Sequence, residues 1–181
     1  MKPRHELSAR QSAIRPSEII PALRSRASVH ANKGLKIERD IVIDRPAAEL
    51  FAFWRNFENL PRVMKHLVSV KCFDPHRSHW RMCRAGDEVV EWEAEIINEH
   101  PHELIAWRTL AGSDVQHAGS VRFTPTPDGR STEVKLALEY EVEGGLLKQL
   151  LARIFRATPE HEIEEDLLRF KESMEGQTVN Q

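Results

Sequence analysis

The side chains that could move protons in this sequence are arginines and histidines spread over several predicted strands. Removing a proton next to a carbonyl needs a positioned base and a cationic or hydrogen-bonding group for the oxyanion. Strand parity places Arg81 and Arg108 on the face opposite to their neighbours Trp80 and Trp107, which directs both arginines toward solvent. Arg39 has the inward parity but lies near a strand end, where its head group can extend to water. The spacing therefore assigns no catalytic residue, and the available groups are Arg39, His66, His79, Arg81, Arg108 and His117.

The histidine spacings do not predict a metal site. His76 and His79 flank a predicted hairpin turn, and His100 and His102 lie on either side of Pro101. A zinc site needs three or four converging ligands, and neither pair matches a standard zinc spacing, with or without the cysteines. The glycines form no phosphate-binding loop, and no G-x-S-x-G nucleophile motif is present. We therefore expect neither a metal nor a cofactor.

The two cysteines are expected to be free thiols. If residues 74–77 form the loop of a hairpin, Cys72 faces His79 across the ladder and Cys83 faces Val68. The cysteines then lie four positions apart, or roughly 13 Å. A disulfide needs Cα atoms within about 7 Å, so this register does not allow one.

Large aromatic residues recur at strand parities that could face the interior. If the sheet and the last helix enclose a cavity, these residues line it and supply apolar area with a few N–H and O–H donors. The alternative is ordinary core packing, which the pattern allows equally. Tyr140 is the only tyrosine and could bond either a ligand oxygen or the backbone. The candidate cavity residues are Trp80, Trp92, Trp107, Phe123 and Tyr140 from the strands, with Leu147, Leu151 and Ile154 from the helical region.

Alternating and helical periods organise these residues into one domain. Ala47–Phe57 has apolar residues at helical spacing, and a second short helix is expected over 61–66. A C-terminal stripe of Ile163, Leu167, Phe170 and Met174 follows a break at Thr158-Pro159. The period-two segments predict strands at 35–43, 67–73, 78–84, 88–98, 103–110, 116–124 and 132–142.

Composition and charge limit the class of protein and its partners. The chain has 181 residues, of which 40% are hydrophobic and 30% charged, as in a soluble one-domain protein. Residues 1–36 carry a net charge of +6 (8 basic, 2 acidic), and the remainder carries −8 (18 basic, 26 acidic). We expect a basic, flexible arm over 1–34, a ligand-binding domain over 35–176 and a short tail over 177–181. The arm could touch a membrane surface weakly, whereas the glutamate-rich outer sheet face disfavours specific nucleic-acid binding.

Three further expectations concern the cell compartment. No apolar run approaches the roughly 20 residues of a membrane-spanning helix. The basic N-terminus has no apolar stretch of about 7 to 15 residues, so a secretory signal is not expected. Two cysteines in a chain of this length do not make a disulfide framework. A cytoplasmic location is therefore predicted.

Four local segments resemble one protein family. They are IVIDRPAAELF at 41–51, FENLPRVM at 57–64, LIAWR at 104–108 and GSVRF at 119–123. Over residues 35–175 the chain resembles START-like (SRPBCC) proteins, and within them the polyketide cyclase/dehydrase and coenzyme-Q-binding branch. The resemblance implies an α+β helix-grip fold, with a seven-strand antiparallel sheet wrapped round a long C-terminal helix. It also implies an interior cavity for hydrophobic molecules such as lipids, quinones, sterols or polyketides.

Three functions fit this combination of features. The preferred one is a non-enzymatic binding or carrier domain for a hydrophobic small molecule. The alternatives are a polyketide cyclase/dehydratase-type enzyme and a protein-interaction module that uses the basic arm. A carrier needs a dominantly apolar cavity, whereas an enzyme needs an inward histidine or carboxylate with a shifted pKa.

Overall fold

Seven strands, two α-helices and a 3₁₀ helix make up the described part of the protein. The computed structural model describes residues 35–83, 89–113, 115–140 and 158–176. The elements in chain order are β1 (Leu35–Ile43), α1 (Ala47–Arg55), the 3₁₀ helix (Phe57–Arg62), β2 (Leu67–Cys72), β3 (Arg77–Cys83), β4 (Val89–His100), β5 (Leu104–Thr109), β6 (His117–Pro125), β7 (Thr132–Tyr140) and α2 (Pro159–Glu175).

The strands form one antiparallel sheet in the order β1-β7-β6-β5-β4-β3-β2. Consecutive strands from β2 to β7 are neighbours, and β1 pairs with β7 from Leu35↔Tyr140 to Ile43↔Thr132. The first strand therefore lies at one edge, and α1 with the 3₁₀ helix carries the chain to β2 at the other edge. The predicted seven-strand antiparallel sheet of an α+β helix-grip fold is confirmed.

One face of the sheet is buried, as the period of two predicts. On β4, Val90 and Trp92 are buried, while Glu91 and Glu93 between and beside them are exposed. The same alternation runs along β7, where Leu136 is buried. Because successive side chains point to opposite faces, one apolar face is directed toward the helices and one charged face toward water.

Helix α2 covers this inner face with its apolar stripe. It begins at Pro159, where the missing N–H costs nothing, and it buries the predicted residues Ile163, Leu167, Phe170 and Met174. Its last turn leaves carbonyl groups without helical partners. Arg45 satisfies two of them, donating from Nε to the Met174 carbonyl (3.0 Å) and from Nη2 to the Glu175 carbonyl (3.1 Å). The arginine thereby fastens the end of α2 to the corner between β1 and α1.

The second short helix differs from its predicted position. A 3₁₀ helix over Phe57–Arg62 replaces the helix expected at 61–66, and α1 ends at Arg55. Asn56 starts the 3₁₀ helix by accepting the Glu58 N–H at its side-chain oxygen (3.3 Å). Phe57 and Leu60 are both buried, and their spacing of three matches the 3₁₀ repeat. Burial of these two residues sets the position of the turn.

The hairpin between β2 and β3 also differs by one residue from the predicted register. Asp74 accepts the Arg77 N–H at its side chain (2.8 Å), and Arg77 already belongs to β3. Cys72 consequently opposes Ser78 instead of His79.

A register shift between Leu67 and Ser69 removes the other predicted cysteine pairing. Val68 lies at this shift and does not oppose Cys83. Irregular pairing of this kind leaves a residue out of the ladder. Both Cys72 and Cys83 are free thiols, so that prediction is confirmed.

The described residues contain neither a membrane-spanning helix nor a metal-ligand cluster. No helix among them is long and apolar enough to cross a membrane. Within the same residues, no group of three or more His, Cys, Asp or Glu side chains could hold a metal ion.

Candidate functional site

A cavity of about 60 Å³ lies between the inner face of the sheet and the helices. All four tryptophans of the chain line it, with Trp54 on α1 and Trp80, Trp92 and Trp107 on β3, β4 and β5. Four polar side chains also reach the wall, namely those of His66, His117, Tyr140 and Asp166. The aliphatic part of the wall comes from Leu60, Met64, Leu67, Met82, Val115, Leu136, Leu138 and Ile163.

The structure brings four of the eight candidate cavity residues together. Trp80, Trp92, Trp107 and Tyr140 line the cavity. Phe123 is buried between helix and sheet, with its ring 5.9 Å from that of Phe51 and 6.4 Å from that of Trp54. It is not among the described cavity-lining residues. Leu147, Leu151 and Ile154 lie outside the described residues.

Three tryptophans form a ladder across neighbouring strands. Trp80 and Trp92 are direct cross-strand partners with ring centres 6.0 Å apart, and Trp80 and Trp107 are 6.4 Å apart and almost parallel. The indole of Trp107 lies against Gly119 on β6, where a Cβ atom would be only 2.3 Å from its Cζ2. Only a residue without a side chain leaves room for the indole here, so Gly119 sets the position of one cavity wall.

Four buried nitrogen atoms at the cavity have no hydrogen-bond partner in the described part of the chain. They are Trp54 Nε1, Trp92 Nε1, Trp107 Nε1 and His117 Nδ1. The fourth tryptophan differs, because Trp80 Nε1 donates to Ser78 Oγ (2.8 Å). Buried polar groups are normally paired, and each unpaired one costs about 1–3 kcal/mol. The three unpaired indole donors thus belong to residues that surround one apolar space.

His117 is a neutral base inside the cavity wall. It is buried, its backbone N–H donates to Thr109 Oγ1 (3.1 Å), and its ring meets that of Trp92 edge-on at 5.4 Å. Burial lowers its pKa to about 4, because the charged ring would lose its water. At neutral pH one ring nitrogen therefore carries a proton and the other a lone pair.

Tyr140 faces His117 across the β6–β7 ladder, with ring centres 5.6 Å apart. Burial raises the pKa of the Tyr140 phenol, and the negative charge of Glu162 raises it further. The hydroxyl therefore stays protonated at physiological pH and can act as both donor and acceptor in the wall.

A cluster of ionisable side chains lies at the cavity beside α2. His66 Nδ1 lies 3.3 Å from Asp166 Oδ2 and 3.9 Å from Glu162 Oε2. Arg169 Nη2 donates to the other carboxylate oxygen of Asp166. Burial raises the pKa of Asp166, while His66 and Arg169 oppose that shift by favouring the carboxylate. The cluster places a histidine and a buried carboxylate at the same apolar cavity.

The other acid–base candidates lie away from the cavity. Arg81 and Arg108 form ion pairs with Glu91 and Glu95 on the outer face, each with a closest N···O distance of 2.7 Å, as parity predicts for both arginines. Arg39 is half-buried on β1 and donates to the Glu38 carbonyl (2.8 Å). His79 also lies on the outer face, 3.4 Å from Glu91. None of these four residues lines the cavity among its described members.

Asp166 is not among the residues predicted from the sequence, although its spacing is a usable signal. Asp166 follows Ile163 by three residues and precedes Phe170 by four, which places a carboxylate within the apolar stripe of α2. It is only 3% exposed. An acidic residue in such a stripe is unusual, because burying a charge is costly unless it is paired.

Comparison with known proteins identifies matching sequences and folds. Residues 43–165 match the sequence profile of a family described as polyketide cyclase / dehydrase and lipid transport. A 17.2 kDa protein of Streptomyces lincolnensis is 29% identical over 105 residues, which are 58% of this chain and 68% of that protein.

Two solved structures extend the comparison to the fold. A Deinococcus radiodurans protein with a crystal structure is 33% identical in sequence to this chain, with a TM-score of 0.64. The match covers 80% of this chain and 100% of that one. The Zhui aromatase/cyclase from Streptomyces sp. R1128 is 17% identical, with a TM-score of 0.61, over 78% of this chain and 94% of that one. At that identity the second likeness concerns the fold alone.

Proposed function

This chain belongs to the polyketide cyclase/dehydrase and lipid-transport family, and on that premise we propose that it binds a hydrophobic small molecule in its interior cavity. The observation that carries the proposal is the set of three indole N–H groups and one imidazole nitrogen that are buried at the cavity without partners. A ligand with an apolar body and an acceptor oxygen would pair with them and remove their cost.

The chemistry of the wall defines the ligand class. The unpaired indole groups can only donate, so the complementary ligand atoms are acceptors such as a ketone, quinone or ether oxygen. The tryptophan ladder offers flat apolar faces, which favour a planar ring system. We therefore propose a planar, largely apolar carbonyl compound as the ligand.

The size of the cavity requires movement on binding. A space of about 60 Å³ is smaller than the roughly 150 Å³ of a cavity that accepts benzene. Met64 and Met82 both line the space. Methionine side chains are unbranched and adapt easily, so their rotation could enlarge the cavity at small cost. The first ligand ring would then occupy the volume that these side chains vacate.

The direct test compares indan-2-one with indane, which has the same carbon skeleton but no carbonyl. Because all four tryptophans line the cavity, tryptophan emission reports binding there without an added label. The ketone is expected to bind about 2- to 13-fold more tightly than the hydrocarbon, since one recovered hydrogen bond is worth about 0.5–1.5 kcal/mol. Equal affinities, or no change in emission with either compound, would contradict the proposal.

A pair of variants on β7 separates cavity binding from surface binding. Leu138→Phe adds volume to the cavity wall, so it should weaken indan-2-one binding. Lys135→Phe adds the same side chain on the exposed face of the same strand and should leave the affinity unchanged. Native mass spectrometry followed by extraction would then identify the ligand that copurifies with the protein.

A role of residues 1–34 in protein interaction stays a prediction, because they lie outside the described residues.

A further inference from the structure

His66 and Asp166 form a pair at the boundary between the cavity and an outer cleft. Both side chains line the cavity, and His66 also lines a cleft of about 330 Å³ together with Lys65, Glu162 and Arg169. The side chain of His66 is 19% exposed and that of Asp166 only 3%. The imidazole therefore lies where it can contact a ligand in the cavity and exchange protons with water from the cleft.

Asp166 is held in place by several groups at once. One carboxylate oxygen accepts a hydrogen bond from Arg169 Nη2, and the Lys65 backbone N–H also bonds to the carboxylate. Arg169 is itself fixed, because its Nε donates to the Val63 carbonyl (3.0 Å). The remaining carboxylate oxygen faces His66 Nδ1 at 3.3 Å. The carboxylate is thus oriented before any ligand binds.

This geometry favours one tautomer of the His66 imidazole. A carboxylate beside Nδ1 favours the tautomer that carries its proton there, which leaves Nε2 as the basic nitrogen. Glu162 adds a second carboxylate 3.9 Å from Nδ1, so a protonated ring would face two negative groups and the positive Arg169 beyond Asp166. A base oriented by a third group is the arrangement found in acid–base and nucleophilic catalysis.

We propose that His66 is a general base and acid for a carbonyl compound bound in the cavity, with Asp166 as its positioning residue, so that the protein catalyses enolisation of its ligand. The inference rests on the proposed function, because it needs a ketone in the cavity. An enzyme, unlike a carrier, needs an inward histidine or carboxylate with a shifted pKa, and this pair places both residue types at the cavity, with the pKa of Asp166 raised by burial.

The proposed reaction transfers one proton and needs no other reactant. His66 Nε2 takes a proton from the carbon next to the carbonyl, the C–H electron pair becomes the C=C π bond, and the carbonyl π pair moves to oxygen. An indole N–H of the cavity wall donates to the enolate oxygen. The imidazolium then returns a proton to the same or a conjugated carbon, which restores the ketone and the neutral histidine.

Deuterium exchange measures this step directly. The full chain is incubated with indan-2-one in deuterium oxide, and proton NMR follows the loss of the CH₂ signals next to the carbonyl. His66→Gln should lower the protein-dependent exchange rate by at least about 100-fold. His161→Gln is the matched control, because His161 lines only the outer cleft and pairs with Glu165 at 3.5 Å. It should change the rate by less than about twofold.

The outcomes separate the two proposals. If indan-2-one binds but exchange is no faster than in buffer, or is equally fast in the His66→Gln protein, the catalytic inference is overturned and the binding proposal stands. Equal losses in the His66→Gln and His161→Gln proteins would also overturn it. If the ketone does not bind to the wild-type protein, the proposed function fails and the inference fails with it.

Asp166→Asn tests the positioning role. The amide oxygen can still accept from Arg169, but the amide NH₂ would then face His66 Nδ1 and would disfavour the tautomer that carries a proton there. The neutral amide also cannot stabilise an imidazolium, so exchange should fall by about tenfold or more while the dissociation constant of indan-2-one is unchanged. Asp166→Glu, which keeps the charge, should restore part of the rate. Thermal unfolding of each variant checks its fold, and equal rate losses in both variants would contradict a role for the carboxylate charge.

Discussion

The contact between Gly119 and Trp107 predicts the sign of the stability change that Gly119→Ala causes. Replacing a strand glycine by alanine normally stabilises a protein by about 0.5–1 kcal/mol, because glycine loses more conformational freedom on folding. At Gly119 the added Cβ would lie 2.3 Å from Trp107 Cζ2, 2.5 Å from Cε2 and 2.9 Å from Nε1. These distances are far below van der Waals contact, so the indole or the strand must move.

The size of the stability change follows from the balance between the entropic gain and the steric overlap of the added Cβ. Overpacking a well-packed core costs about 1–3 kcal/mol, which exceeds the entropic gain. Gly119→Ala should therefore lower the free energy of unfolding by about 1–2 kcal/mol. For a chain of this size that loss lowers Tm by about 2–8 °C. The displaced indole should also disturb its stacking on Trp80, which near-ultraviolet circular dichroism would detect.

A double-mutant cycle isolates the contact from the other effects of the substitution. Trp107→Phe removes the indole atoms that meet the new Cβ, so Gly119→Ala in that background should be neutral or stabilising by up to about 1 kcal/mol. Urea unfolding of the four proteins gives the coupling energy. If Gly119→Ala is as stable as the wild type and has an unchanged tryptophan spectrum, the indole does not lie against Gly119 and this account of the cavity wall is wrong.

Two further predictions concern stability. Because burial lowers the pKa of His117 to about 4 from 6.5, protonation favours the unfolded chain, and the stability that neutral His117 contributes is complete above pH 6.5 and is lost as the pH falls toward 4. The loss is at most about 3 kcal/mol. Denaturant unfolding should therefore show that the free energy of unfolding of the wild type, relative to that of His117→Phe, falls by up to this amount as the pH is lowered from 6.5 to 4, whereas a difference independent of pH would contradict the shift. Arg45→Ala should lower the free energy of unfolding by about 1–2 kcal/mol, because two carbonyls at the end of α2 lose their donor. The control is Lys36→Ala, because the side chain of Lys36 forms an ion pair only with Glu38 among the described residues. Thermal unfolding compares the two variants, and equal Tm values would exclude the capping role.

The pKa shifts of His117 and Asp166 act with opposite signs on stability. Burial lowers the pKa of His117 but raises that of Asp166, so any contribution from Asp166 is lost as the pH rises through its folded pKa. The comparison with His117→Phe is therefore needed, because the total pH dependence of the wild type combines both groups.

Local periodicity determined the architecture of this protein. Alternation along 88–98 predicted which face of β4 is buried, and the apolar stripe of α2 predicted Ile163, Leu167, Phe170 and Met174 as its buried residues. These patterns are local consequences of burying one face of a strand or helix, so they can be read without knowledge of distant contacts. The family resemblance added the helix-grip fold, which the structure and the matching proteins confirm.

Only the tertiary structure decided what the inner face does. Parity directed Trp92, Trp107 and Phe123 inward alike, yet two of them border a cavity and the third packs on Phe51. The period of a strand indicates which of its faces is buried. Whether side chains fill the space between that face and the helices depends on how the side-chain volumes of several elements fit together. The indole groups that lack partners likewise become apparent only when every neighbour is in place.

The pairing of His66 with Asp166 shows the same limit. The two residues are 100 positions apart, and although the spacing of Asp166 within the apolar stripe indicates a buried carboxylate, nothing local indicates that His66 is its partner. Their approach depends on α2 packing over the sheet at one rotation, which Arg45 and Arg169 fix through backbone carbonyls of other elements. Sequence periodicity therefore determined which residues face the interior. The packing of α2 on the sheet determined which ionisable side chains meet at the cavity.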